Sequence, residues 1–184
     1  MRIIGGEFGG RRFNPPANIP ARPTTELAKE ALFNILSNSI DLEDIKTLDL
    51  FSGTGSITYE LVSRGAGMVT AIEKDEKSFA FIKKMATDLK IIDRTTIIRG
   101  DVFKFLKQCT AQFDLIFADP PYALANIDEL PKLVFEKNLL VPGGIFVMEH
   151  GNRNNYEKHP NFSRSKNYGT SLFTIFTAPN NITE

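Results

Sequence analysis

The sequence holds one cysteine, Cys109, and two histidines. No intrachain disulfide is possible, and no His/Cys cluster of the metal-binding kind is present. A lone cysteine points to a reducing compartment. No apolar run approaches the roughly 20 residues of a membrane span. The first residues, MRIIGGEFGGRR, hold too few apolar side chains for a signal peptide. The expectation is a soluble cytoplasmic protein with no membrane partner. Net charge is missing too: 22 Lys and Arg balance 22 Asp and Glu, which excludes a histone-like binder acting by charge alone.

What is present is the length and composition of one globular domain. At 184 residues, 42% hydrophobic and 24% charged, the chain can bury a sufficient core without a disulfide or metal. Its neutral total conceals two basic flanks. Residues 1–25 carry Arg2, Arg11, Arg12 and Arg22 against Glu7. Residues 152–169 carry Arg153, Lys158, Arg164 and Lys166 against Glu157. Such flanks can form a positive rim around a less positive body.

Glycines and prolines deny residues 1–25 a long helix. Arg2-Ile3-Ile4 and Arg11-Arg12-Phe13 can pair as a small hairpin. Thr24 or Thr25 can cap a helix over 26–39, with Leu27, Ala31, Leu32 and Ile35 at helical spacing. Strand-like runs then appear at 46–51, 68–72, 95–99, 113–118 and 144–149. Helix-like stretches at 56–65, 75–90, 102–109 and 126–138 separate them. This alternation predicts an α/β fold with a mostly parallel sheet. Residues 162–168 and 171–177, joined through Gly169, read as an antiparallel hairpin at the sheet edge.

Asp49-Leu50-Phe51-Ser52-Gly53-Thr54-Gly55 ends the first of these strands and opens a helix. Glycines there let a ligand approach the backbone, and the helix start offers free N–H groups. Glu73 closes the next strand, where a carboxylate can grip ribose hydroxyls. A dinucleotide fingerprint wants a third glycine where this chain has Thr58, and no P-loop lysine is present. The pattern suits an adenosine-bearing ligand without a pyrophosphate. Asp101, after the third strand, can accept from an adenine amine or simply cap the helix that follows.

Asp119-Pro120-Pro121-Tyr122 follows the fourth strand. Two prolines carry no N–H, so this turn offers acceptors and few donors. That suits an exocyclic amine. If the Asp119 carboxylate and the Pro120 carbonyl each accept one N–H, the amine lone pair turns toward an electrophile. Tyr122 can stack on a flipped base.

With Arg2-Ile3-Ile4-Gly5-Gly6, Gly10-Arg11-Arg12, Arg22-Pro23-Thr24-Thr25 and Glu30–Leu36, these motifs make the chain resemble the S-adenosylmethionine-dependent methyltransferases. Within them it resembles the RsmD-type small-subunit ribosomal RNA guanine-N2 family, over nearly its whole length. The resemblance implies a Rossmann-like class I methyltransferase fold, with residues 1–40 as an RNA-binding arm and helix and residues 41–184 as the methyltransferase domain. It implies that Asp49, Phe51, Ser52, Gly53, Thr54, Gly55, Glu73, Lys74, Asp101, Val102 and Asp119 hold S-adenosylmethionine. Asp119, Pro120, Pro121 and Tyr122 would orient the guanine. Arg2, Arg11, Arg12, Arg22, Thr24, Lys29, Arg164 and Lys166 would meet RNA, with Lys29 filling a place usually basic in the family. The product would be S-adenosylhomocysteine, with no metal required. The partner would be ribosomal RNA in a small-subunit particle or assembly intermediate, and the enzyme a monomer. Chemistry alone leaves two alternatives open: methylation of another base amine, such as adenine N6, and a non-catalytic RNA-binding or assembly role.

His150 is expected to be structural and His159 solvated. Phe33 is a further position that could touch the cofactor.

Overall fold

A computed structural model describes residues 1–20, 25–169 and 171–180. Helix α1 spans Glu26–Ser37, followed by β1 (Lys46–Leu50), α2 (Ser56–Ser63), β2 (Met68–Glu73) and α3 (Glu76–Asp88). After a 3-10 turn at Ile92–Arg94 come β3 (Thr95–Arg99), α4 (Val102–Gln108), β4 (Phe113–Ala118), α5 (Glu129–Glu136) and β5 (Leu140–His150). The chain closes with β6 (Phe162–Tyr168) and β7 (Ser171–Thr177).

The seven strands form one sheet in the order β3-β2-β1-β4-β5-β7-β6. The first five are parallel, and β7 and β6 add antiparallel to β5. The chain runs outward from β1 to β3, then returns to place β4 on the other side of β1. This reversal makes β1/β4 the switch point, where loops diverge and leave a crevice.

Alternating residues of the buried strands feed two cores. Leu115, Phe117, Val147, Phe173 and Ile175 face α1, α2 and α3. Leu48, Leu50, Ile116, Phe146 and Met148 face α4 and α5. Ile3 and Phe8 of the N-terminal segment belong to the first core. Leu32 and Phe33 of α1 are fully buried there, each contributing roughly 1.5–3 kcal/mol by leaving water.

The expected elements all occur, with shifted ends. α1 stops at Ser37, where Asn38 and Ser39 back-bond to Asn34 and Ile35 carbonyls. Its cap is Thr25, whose hydroxyl accepts from the Ala28 N–H at 3.1 Å. α5 is shorter than its apolar pattern suggests, because residues before Glu129 form turns. β5 begins earlier than expected, at Leu140; Gly143 and Gly144 lie within it beside a register shift against β4. The N-terminal hairpin reduces to one bridge between Arg2 and Arg12, flanked by Ile3 N–H to Arg11 carbonyl at 2.9 Å.

Candidate active site

At the carboxyl ends of the parallel strands lies a cavity of about 1570 Å³. The glycine loop, Glu73, Asp101 and the Asp119–Tyr122 turn line its floor, and Ala28, Ala31 and Asn34 of α1 form one wall.

The loop after β1 is folded against its own strand. Phe51, Gly53 and Gly55 all have left-handed backbone, with φ of 60°, 55° and 79°. At Gly55 a Cβ would lie 2.5 Å from the Tyr59 ring, so no larger residue fits. Asp49 is 1% exposed, and its Oδ2 accepts from the Thr58 hydroxyl at 2.6 Å. Burial pushes the Asp49 carboxyl up to about 7, opposed by the Thr58 hydrogen bond and aided by nearby Glu73. Thr58, at the place of the third glycine, is therefore the partner of a buried carboxyl.

Glu73 joins loop to loop. Its Oε2 accepts from the Gly53 N–H at 2.7 Å and its Oε1 from the Asp75 N–H at 2.7 Å. Asp101 performs the capping alternative: its Oδ1 accepts from the Lys104 N–H at 3.1 Å. Its Oδ2 lies 3.7 Å from the exposed Lys74 ammonium, and the residue lines the cavity. Val102 is buried behind it. Phe51 and Phe103 meet edge to face, centroids 6.5 Å apart, and both line the cavity. Phe103 lies beyond the motifs and was not expected there.

The Asp119 N–H continues the ladder to the Leu50 carbonyl at 3.4 Å, holding the turn across the switch point. The Tyr122 hydroxyl donates to Glu149 Oε1 at 2.9 Å and lies 3.3 Å from Ser171 Oγ. Desolvation raises the phenol's pKa, and the Ser171 hydrogen bond offsets part of that rise. Gly151 lies beside the ring. Glu149 and Ser171 carry no motif in the sequence, yet both line the cavity.

Arg11 and Arg12 are exposed, as are Arg164 and Lys166. Arg11 stacks over Phe8 with 4.9 Å to the ring centre, and Arg164 donates to Ser39 Oγ at 2.5 Å. Arg2 pairs with Glu26 at 2.9 Å. Arg22 and Thr24 lie outside the described residues. Lys29, expected to meet RNA, is buried instead: it is 1% exposed, on the face of α1 shared with Leu32, Phe33 and Leu36. Its ammonium donates to the Arg2 carbonyl and, at 3.1 Å, to Ser56 Oγ, with Glu60 at 3.5 Å. Desolvation lowers its pKa against the pull of Glu60.

Glu60 also accepts from the Ile4 and Gly5 N–H groups at 2.8 and 2.9 Å and from Arg64 at 2.8 Å. The N-terminal segment is thereby fixed to α2. Gly6 permits the contact, since a Cβ there would come 1.8 Å from the Ser63 carbonyl oxygen.

Phe33 is fully buried under the Arg64 guanidinium, 4.7 Å from its ring centre, and does not line the cavity. His150 is structural as expected: it is buried, with Nε2 2.7 Å from Thr174 Oγ1. His159 is not solvated but half-buried against Phe135 and Phe176, centroids 5.3 and 5.1 Å away, and desolvation lowers its pKa.

This sheet order and crevice are those of a Rossmann-type methyltransferase. Residues 1–177 match the family described as "Conserved hypothetical protein 95", and the chain belongs to that family. It is 32% identical to Ribosomal RNA small subunit methyltransferase D of Buchnera aphidicola subsp. Baizongia pistaciae, over 83% of this chain and 76% of that one. The Escherichia coli K12 protein of the same name is 33% identical, over 81% and 74%. In structure the chain is similar to the Escherichia coli protein yhhF, with a TM-score of 0.85, 27% identity and 98% of each chain covered.

Proposed function

We propose that this chain transfers a methyl group from S-adenosylmethionine to the exocyclic N2 of a guanine in small-subunit ribosomal RNA. The observation that carries this reading is the opening of Glu73 and the Asp119–Tyr122 turn into one cavity. An adenosine-binding end and an amine-accepting end there share one space. Relatives named as small-subunit ribosomal RNA methyltransferases support the RNA substrate.

The donor set fits a cationic adenosine derivative. Glu73 would hold the ribose hydroxyls, and Asp101 with Lys74 and Val102 would meet the adenine edge. The buried Asp49 carboxyl, Ser52, Gly53 and Thr54 line the cavity and, together with Gly55, would hold the methionine end. When bound, S-adenosylmethionine supplies a methyl group on a sulfonium and is left as neutral S-adenosylhomocysteine. Asp119 and the Pro120 carbonyl each accept one N–H of the guanine amine, turning its lone pair toward the methyl. Asp119 receives the proton that N2 loses. Pro121 shapes the turn and Tyr122 stacks on the base. Most of the rate gain is then positioning.

Arg2, Arg11, Arg12, Arg22, Thr24, Arg164 and Lys166 would grip RNA phosphates, with residues 1–40 serving the catalytic body of 41–184. The enzyme would act as a cytoplasmic monomer on a small-subunit particle or assembly intermediate. Nucleoside mass analysis of ribosomal RNA from cells with and without the protein tests this. Loss of N2-methylguanosine from small-subunit RNA supports it, and loss of another methylated nucleoside instead contradicts it.

A further inference from the structure

Glu149 lies one residue past Met148, which pairs with Ala118 in the β4–β5 register. It thus stands beside Asp119 at the ends of adjacent parallel strands. It is 5% exposed and lines the cavity. Its two oxygens differ. Oε1 accepts from Tyr122 at 2.9 Å and from Ser171 at 2.6 Å. Oε2 is buried with no hydrogen-bond partner among the described residues. A buried carboxylate oxygen left unpaired costs free energy, and a donor brought by a ligand removes that cost.

We propose that Glu149 is the residue that reads the base as guanine, its Oε2 accepting the N1–H beside the amine held by Asp119. This rests on the guanine-N2 reading above and deepens it. Guanine presents N1–H and N2–H₂ as neighbouring donors, which two adjacent carboxylates match. Adenine presents a lone pair at N1, and that lone pair against Oε2 would leave both acceptors unpaired. A site built around a hydrogen bond rejects an analogue lacking the donor more strongly than apolar contact can. Tyr122 and Ser171 occupy Oε1, so they fix the carboxylate's rotation and leave Oε2 for the base.

The test compares target guanosine with 2-aminopurine riboside at the same position in reconstituted small-subunit particles. The analogue keeps the 2-amino group but has a lone pair at N1. The wild-type protein is expected to favour guanosine by about a hundredfold or more in kcat/KM. Glu149→Gln keeps an oxygen for Tyr122 and Ser171 and offers N–H to the analogue's N1. It should lower guanosine methylation at least about tenfold and shrink the preference to within about tenfold. Calorimetric affinity for S-adenosylmethionine reports whether the variant is folded and should not change. Equal use of both bases by the wild-type protein, or an equal loss on both in the variant, would overturn the assignment and leave Glu149 only positioning Tyr122. Wild-type protein that leaves guanosine unmodified and labels adenine refutes the guanine-N2 reading itself, independently of any variant.

Discussion

Glu73 and Gly53 are joined by a 2.7 Å hydrogen bond from the Gly53 N–H to Glu73 Oε2. The carboxylate at the end of β2 therefore holds the glycine loop after β1 while offering its remaining lone pairs to the cavity. Glu73→Ala removes both roles. S-adenosylmethionine affinity should fall by roughly 1.5–3 kcal/mol, about ten- to a hundredfold. Calorimetry checks this, and unchanged affinity would end the ribose assignment.

In the proposed cofactor site, Asp49 should impose a pH dependence. Its folded pKa of about 7 lies above the ordinary value of 3.8 because of burial. The folded state therefore binds more protons than the unfolded state between those values. The carboxyl's contribution to stability is fully present below about pH 4 and is lost as pH rises through about 7. Cofactor binding has the opposite sense. A cationic methionine end favours the ionised carboxylate, so affinity should fall as pH drops below about 7, by up to tenfold per unit. Asp49→Asn keeps an acceptor for Thr58 and should flatten both profiles, measured by titration calorimetry and thermal melts from pH 5 to 8.

The alternation of strands and helices, the terminal hairpin and the placing of both motifs at strand ends were legible, because period, glycine placement and proline placement are local signals; the order of the strands in the sheet was not. Glu149 and Ser171 were not, since their meaning comes from β5 and β7 meeting beside the Asp119 turn, a pairing distant in sequence. Lys29 was misleading. Its spacing to Leu32, Phe33 and Leu36 marks it as inward-facing, but a lysine at such a position needs a buried acid, and Glu60 lies in α2, beyond the whole of β1. The beginning of β5 was hidden by Gly143 and Gly144, which usually mark a break rather than a strand interior.

That contrast separates two sets of basic residues. Lys29→Met should destabilise the fold by about 3 kcal/mol, because it leaves the buried Glu60 with Arg64 as its one remaining countercharge among the described residues, while the salt dependence of RNA binding stays unchanged. Arg11→Ala with Arg12→Ala should leave the melting temperature nearly fixed. The double variant should reduce the slope of log affinity against log salt by roughly one to two. Melting curves and salt titrations on both proteins distinguish the roles.

Within the proposed amine pocket, Tyr122→Phe keeps the ring assigned to stacking and loses the hydroxyl that meets Glu149. Tyr122→Ala loses the stack as well, worth roughly 1–3 kcal/mol. Single-turnover methylation should therefore fall further in the alanine variant than in the phenylalanine variant. Equal rates in the two would remove stacking from the account.

The most direct test of methyl transfer to guanine N2 uses labelled S-adenosylmethionine, unmodified small ribosomal subunits, free ribosomal RNA and duplex DNA, each with wild-type protein and Asp119→Ala. Digestion to nucleosides should place the label in N2-methylguanosine from small-subunit RNA. The variant should bind S-adenosylmethionine normally and transfer almost none. Label in N6-methyladenine, transfer confined to DNA, or near-normal turnover by Asp119→Ala would contradict it.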